Sequence, residues 1–304
     1  MEPAPFAAQE WRNPVTIPFL VNFGIATTRE PPSQTLAALF SEPLSMRSVP
    51  FHVSSSQETS MDAVAVKERI AEMSPRSLAR MAGAFQLLEA ITAACGQVVV
   101  LGRLTVSDNP AATAANIIAH QQLFWLGFAL SLLGVVFHIA CAFLFYELFK
   151  PVDRHLSFLA MLVLLMATAV QALMAALYLG PSLVLDTGKW WSAFSPGQLQ
   201  ALAYTFLRLN GYAFSTHLFL FGLWCLLVGI LICRSKFLPR VLGVLLAIAG
   251  LGWMIYLVPP VATRLFMPYI AGASALGEIP LEFWLIVMAV NSSRWREQAL
   301  AAIG

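Results

Sequence analysis

Charge is scarce in this sequence: Asp, Glu, Lys and Arg make up 11% of its 304 residues, against about a quarter in soluble domains. The net charge is only +2, which excludes an electrostatic partnership with nucleic acid. Cysteine is scarce too. Cys95, Cys141, Cys225 and Cys233 fall inside or at the ends of apolar runs, without paired spacing. That excludes a disulfide framework and leaves small packing residues. No Gly-x-Ser-x-Gly elbow, His-Glu-x-x-His or phosphate loop occurs. No single element carries metal-ligand spacing such as His-x-x-x-His, so neither a metal nor a cofactor is expected.

Residues 1–73 lack a long apolar run and hold eight prolines, among them Pro14, Pro18, Pro31 and Pro32. Glu2 and Glu10 stand where a secretory signal would be basic, so none is read here. The segment reads as a disordered tail with a short amphipathic helix over 61–73. Met46, Met61 and Met73 each offer an alternative start that would explain the change in character.

What is abundant is apolar residue. The hydrophobic fraction is 59% and the mean hydropathy +0.73, more apolar surface than one water-soluble core can hide. A membrane-crossing helix needs about 20 apolar residues. Six segments qualify, at 78–102, 123–149, 156–180, 212–233, 241–258 and 269–290. Start signals support them. Ser74-Pro75 and Asn109-Pro110 are cap-and-proline pairs, the second opening a short helix over 111–120. Ser195-Pro196-Gly197-Gln198 has the capping-box pattern, and its helix leads through Arg208 and Asn210 into the fourth span. Trp190 and Trp191 suit a headgroup boundary. Pro259-Pro260 stops the fifth span, and Pro280 predicts a kink in the sixth.

The fold class is therefore an all-α, polytopic membrane bundle of about six helices over 74–292, with a short tail over 293–304. Eleven Lys and Arg flank the spans on one side, from Lys67 to Arg296, and four on the other: Arg103, Lys189, Arg208 and Arg264. By the positive-inside rule both termini are cytoplasmic. The lipid bilayer is the one certain partner.

Several strings carry a resemblance. They are Ser74-Pro75-Arg76-Ser77-Leu78-Ala79-Arg80, Ala111-Ala112-Thr113-Ala114-Ala115-Asn116-Ile117, Lys150-Pro151-Val152-Asp153-Arg154 and Phe237-Leu238-Pro239-Arg240-Val241-Leu242-Gly243, with Ala249-Gly250-Leu251-Gly252 at the end of the fifth span. In this order and spacing they resemble the bacterial membrane family called domain of unknown function 4386, over about residues 74–290. The resemblance implies a helical membrane architecture in a bacterial inner membrane and names no activity. The family's fourth span often reads Gly-Leu-His-Cys, where this chain has Gly222-Leu223-Trp224-Cys225, so a role resting on that histidine does not carry over.

Ionisable groups within spans cost about 2.5–3.5 kcal/mol at the bilayer centre, which makes each a functional candidate. Counting along the spans places Glu89, His138, Glu278 and Glu282 near mid-membrane. The spacing of four puts Glu278 and Glu282 on one helix face, where two acids are hard to explain as helix glue. Gln171 and His217 are secondary candidates, read as interhelical hydrogen-bonding residues. Ser215 and His217 point to different faces and form no local nucleophile–base pair. Gly243, Ala247 and Gly250 make one stripe for helix packing. The first expectation is a small-solute or proton-linked carrier, or a membrane accessory protein, whose solute is apolar or protonatable. The alternatives are a membrane-embedded enzyme using the intramembrane Glu and His residues, and a structural assembly partner. An inverted repeat between the two halves, which known carriers often have, is not evident.

Overall fold

A computed structural model describes residues 74–186, 188, 191–262 and 267–302. The tail over 1–73, with its amphipathic helix and alternative starts, lies outside them, as do Lys189, Trp190 and Arg264. Among the described residues there are helices and no strand. In chain order they are α1 (Pro75–Ala93), α2 (Pro110–Ala119), α3 (Gln121–Phe149), α4 (Arg154–Leu185), α5 (Pro196–Arg234), α6 (Arg240–Met254), α7 (Met267–Val287) and α8 (Ser292–Ala301). A π-helical stretch, Ala94–Val100, carries α1 on to a final turn at Leu101–Leu104.

The helices begin where the side chains can satisfy orphan backbone N–H groups. Ser74 Oγ accepts from Ser77 N at 3.4 Å and Asn109 Oδ1 from Ala112 N at 3.0 Å. Ser195 and Gln198 form the reciprocal capping box. Asp153 caps α4 through Leu156 N at 2.9 Å, a start that the Lys150–Arg154 string also contained.

Five helices, counting α1 to Leu104 and α6 to Leu257, are long and apolar enough to cross a membrane, and α7 with α8 makes a sixth if that bent pair is one span. α7 runs through Pro280 without interruption. A sharp bend, 99°, follows between Val287 and Ser292. There Ala289 takes a left-handed conformation, φ 55°, which is strained for a residue with a Cβ. The residues read as a short tail thus form α8, anchored by the buried Trp295, whose Nε1 donates to the Leu148 carbonyl at 2.9 Å.

The long helices pack as a closed ring: α1 on α3, α3 on α4, α4 on α5, α5 on α6, α6 on α7, and α7 back on α1. Outward residues such as Leu132, Val136, Ile139 and Phe143 of α3 remain exposed and apolar. Inward neighbours such as His138, Cys141 and Phe145 are buried. A helix apolar on both faces, with its outer face uncovered, has lipid as its solvent.

Lipid tails are as apolar as leucine, so helices associate in lipid by close packing. The α5–α6 contact shows this. A Cβ on Gly229 would come 2.6 Å from the Gly243 carbonyl oxygen, and one on Gly222 2.6 Å from that of Gly250. The two glycine pairs are in antiparallel register, so the stripe on α6 meets a matching stripe on α5. Gly229→Val is expected to lower stability by about 1–3 kcal/mol through overpacking, read by thermal unfolding in detergent. Gly211→Ala, with nothing within 4 Å of its built Cβ, should leave stability unchanged or slightly raised.

Candidate functional site

Four successive ring helices each send one polar side chain inward: Glu89 from α1, His138 from α3, Gln171 from α4 and His217 from α5. All are buried, with His138 wholly so. In the interior of a membrane bundle such groups need one another.

The hydrogen bonds form a directed chain. Gln171 Nε2 donates to Glu89 Oε1 at 2.8 Å. Gln171 Oε1 lies 2.8 Å from His138 Nδ1. Since that amide oxygen only accepts, His138 must donate from Nδ1. His217 Nδ1 lies 3.0 Å from the Ala167 carbonyl, another pure acceptor, so it donates there too. In their neutral forms both imidazoles therefore carry the lone pair on Nε2.

That lone pair on His138 faces Glu89 Oε2 across 3.5 Å. The contact lacks hydrogen-bond geometry, and His138 Nε2 has no hydrogen-bond partner among the described residues. Two basic atoms thus face each other in a buried site, where either a proton or a metal cation fits between them. Ligand atoms of Glu89, His138 and His217 all lie within 4.8 Å of one another. For metal–ligand bonds of about 2.0–2.1 Å, a tetrahedral centre sets its ligands about 3.3 Å apart. The Glu89–His138 separation is close to that, and closing the set on His217 takes shifts of up to about 1.5 Å. Holding each ligating imidazole by its other N–H is how proteins orient metal-binding histidines.

The surroundings leave space for the polar chain and cover it with apolar groups. A Cβ on Gly134, one turn before His138, would stand 3.0 Å from Gln171 Nε2 and 3.6 Å from Glu89 Oε1. Glycine there leaves room for the amide bridge. Thr92 Oγ1 satisfies itself on the backbone carbonyls of Leu88 and Glu89. Phe221, one turn beyond His217, lies against both imidazoles, with centroids 5.7 Å from His138 and 6.1 Å from His217.

The acids of α7 sit differently. Glu278 accepts from Trp253 Nε1 of α6 and is absent from the converging ligand set. Glu282 is 2% exposed, its Oε2 has no partner among the described residues, and it lies within electrostatic reach of Glu89. The structure therefore assembles Glu89, His138, Gln171 and His217, with Glu282 nearby and Glu278 tied to α6. Spacing along one helix gives no sign of a three-helix ligand set. Gly134 and Phe221 gave no sequence signal beyond standing one turn from a histidine.

Residues 81–289 match the family model described as Domain of unknown function (DUF4386), and the chain belongs to that family. No match was found among curated proteins or among solved structures.

Replacing Gln171 by Leu would leave His138 Nδ1 and Glu89 Oε1 buried without their partner. A loss of about 1–3 kcal/mol is expected, measured by thermal unfolding in detergent. Gln171→Glu, which keeps an acceptor toward His138 but places two carboxylates in contact, should not restore it.

Proposed function

We propose that this member of the DUF4386 family is a multi-pass bacterial inner-membrane protein that holds a divalent transition metal between Glu89, His138 and His217 for a membrane-embedded reaction. One observation carries the reading. His138 Nε2, buried and without a hydrogen-bond partner among the described residues, faces Glu89 Oε2 at 3.5 Å. A cation between them satisfies both atoms. Two imidazoles and one carboxylate are the donor set of catalytic zinc sites and of non-haem iron(II) sites. Such a metal, when bound, activates a water molecule or polarises a carbonyl at its remaining position. The chain's own residues prepare that site: Gln171 fixes the His138 ring and one Glu89 oxygen, the Ala167 carbonyl fixes His217, and Phe221 limits access of water. The excess of Lys and Arg at one end of the bundle supports six crossings with both termini cytoplasmic.

A proton-linked carrier is the second reading. The favouring observation is the unpartnered oxygen of Glu282, a buried acid within electrostatic reach of Glu89. A carrier of this kind would take a proton, rather than a metal, into the ring.

Metal analysis of the protein purified without chelator decides between them. About one zinc or iron per chain is expected, lost in His138→Ala and in His217→Ala. In Gln171→Leu the metal should bind about 10–100-fold more weakly, the usual effect of losing an orienting partner. A metal-free wild type that also takes up no added zinc or iron(II) overturns the metal reading. Proton uptake into liposomes that is abolished by Glu282→Gln would then support the carrier.

A further inference from the structure

A second feature lies at the basic end of the bundle, away from the polar centre and independent of it. The 99° bend between α7 and α8 makes one corner of a cavity of about 900 Å³. One wall is apolar, from Trp284, Met288 and Val290 at the end of α7. The rim is basic, with Arg294 and Arg296 from α8, Lys236 from the α5–α6 connection and Arg76 from the first turn of α1. A second cavity of about 510 Å³ shares Lys236 and Arg294 and adds Arg234 and Arg240. Glu297 is the one acid lining either cavity. Among the described residues, Arg76, Lys236 and Arg240 form no ion pair, while Arg234 is engaged by Asp153 at 3.2 Å.

The corner is built rather than incidental. Asn291 N donates to the Phe237 carbonyl at 3.3 Å. Lys236 N donates to Gln298 Oε1 at 3.0 Å, and Arg294 Nη1 donates to the Lys236 carbonyl at 3.4 Å. These bonds clamp α8 to the 236–239 connection and hold the cations of these two segments around one space, which Arg76 of α1 also lines. Ala289 accepts a left-handed backbone to make the turn. Strain of that kind persists where the surroundings hold it.

We infer that this corner binds an anionic phospholipid, with the phosphate among Arg76, Lys236 and Arg294 and the glycerol and upper chains along Trp284 and Met288. Charge complementarity selects an anion, because the linings include Arg76, Lys236, Arg240 and Arg294, which form no ion pair among the described residues, and a single acid, Glu297. The apolar wall selects a lipid over a free anion: Met288 is 62% exposed at the end of a membrane-type helix, where a soluble phosphate would leave it uncovered. Basic pockets between transmembrane helices at the membrane surface are a recurrent headgroup site. The volume also falls within the range that encloses a ligand of headgroup size.

The test uses the full chain in nanodiscs of equal parts phosphatidylglycerol and phosphatidylcholine, released into native mass spectrometry. The wild type should retain phosphatidylglycerol in preference. Arg76→Gln with Lys236→Gln should weaken that retention about thirtyfold, as expected for two surface cations at roughly a kcal/mol each. Lys150→Gln with Arg154→Gln removes two cations from the same end without touching the cavity lining, and should leave retention unchanged. Ser292→Trp, which fills the corner without altering charge, should reduce retention and stands in if the double variant fails gel filtration. Equal retention of both lipids by the wild type, or equal loss in the Lys150/Arg154 variant, overturns the inference. Displacement of the lipid by millimolar inorganic phosphate overturns it as well, and points to a free-anion site.

Discussion

Inside a membrane bundle a polar side chain has no water to fall back on, so its partners must come from other helices. The Gln171 amide meets that constraint twice. Its nitrogen serves Glu89 on α1 and its oxygen serves His138 on α3. One side chain of α4 thereby ties three helices together. His217 on α5 joins them through the Ala167 carbonyl, again on α4. The rotation of four helices about their axes is set by these contacts, because turning any one of them would expose a buried polar atom to an apolar wall. The bond from Asn210 Nδ2 to the Met174 carbonyl, 2.8 Å, fixes α4 against α5 in the same way two turns before His217.

The rest of the ring is held by shape. α5 and α6 approach until glycine backbones touch, and a Cβ on Gly277 of α7 would stand 2.5 Å from the Leu245 carbonyl of α6. Thus one half of the ring is fastened by hydrogen bonds around a polar centre, and the other half by small residues together with the Trp253–Glu278 hydrogen bond between α6 and α7. This division fits the physics of lipid, where hydrogen bonds and close packing replace the hydrophobic drive between helices. The π-helical stretch after Glu89 belongs to the polar half. It carries Gln97, which donates to Ser131 Oγ at 3.3 Å, adding a further α1–α3 contact. π-Helical turns are frequent near functional sites.

Much of this was legible in the sequence, for local reasons. Ser74, Asn109 and Ser195 declared helix starts because capping depends on residues three or four apart, and all three cap as read. Apolar run length gave the membrane class directly. The composition of the centre was less legible. Glu89 and His138 stood out as costly intramembrane groups, and Gln171 and His217, read as interhelical hydrogen-bonding residues, do bond across helices, Gln171 to both Glu89 and His138 and His217 to the Ala167 carbonyl; that they converge with the first two was not readable. Pairing between helices depends on helix rotation, and no single-helix period encodes that. Glu278 and Glu282 share a face as their spacing requires, and both lie within electrostatic reach of Glu89, yet Glu278 is held by Trp253 of α6. The bend after Val287 was invisible for another reason: its left-handed residue is Ala289, where a reader of turns looks for glycine.

The most direct test of the central claim is X-ray absorption at the metal edge of the purified, metal-loaded protein. A centre held by Glu89, His138 and His217 predicts two imidazole scatterers and a first shell of nitrogen and oxygen at about 2.0–2.1 Å, with one imidazole lost in His217→Ala. A first shell of oxygen alone or of sulfur, unchanged by that substitution, would contradict it.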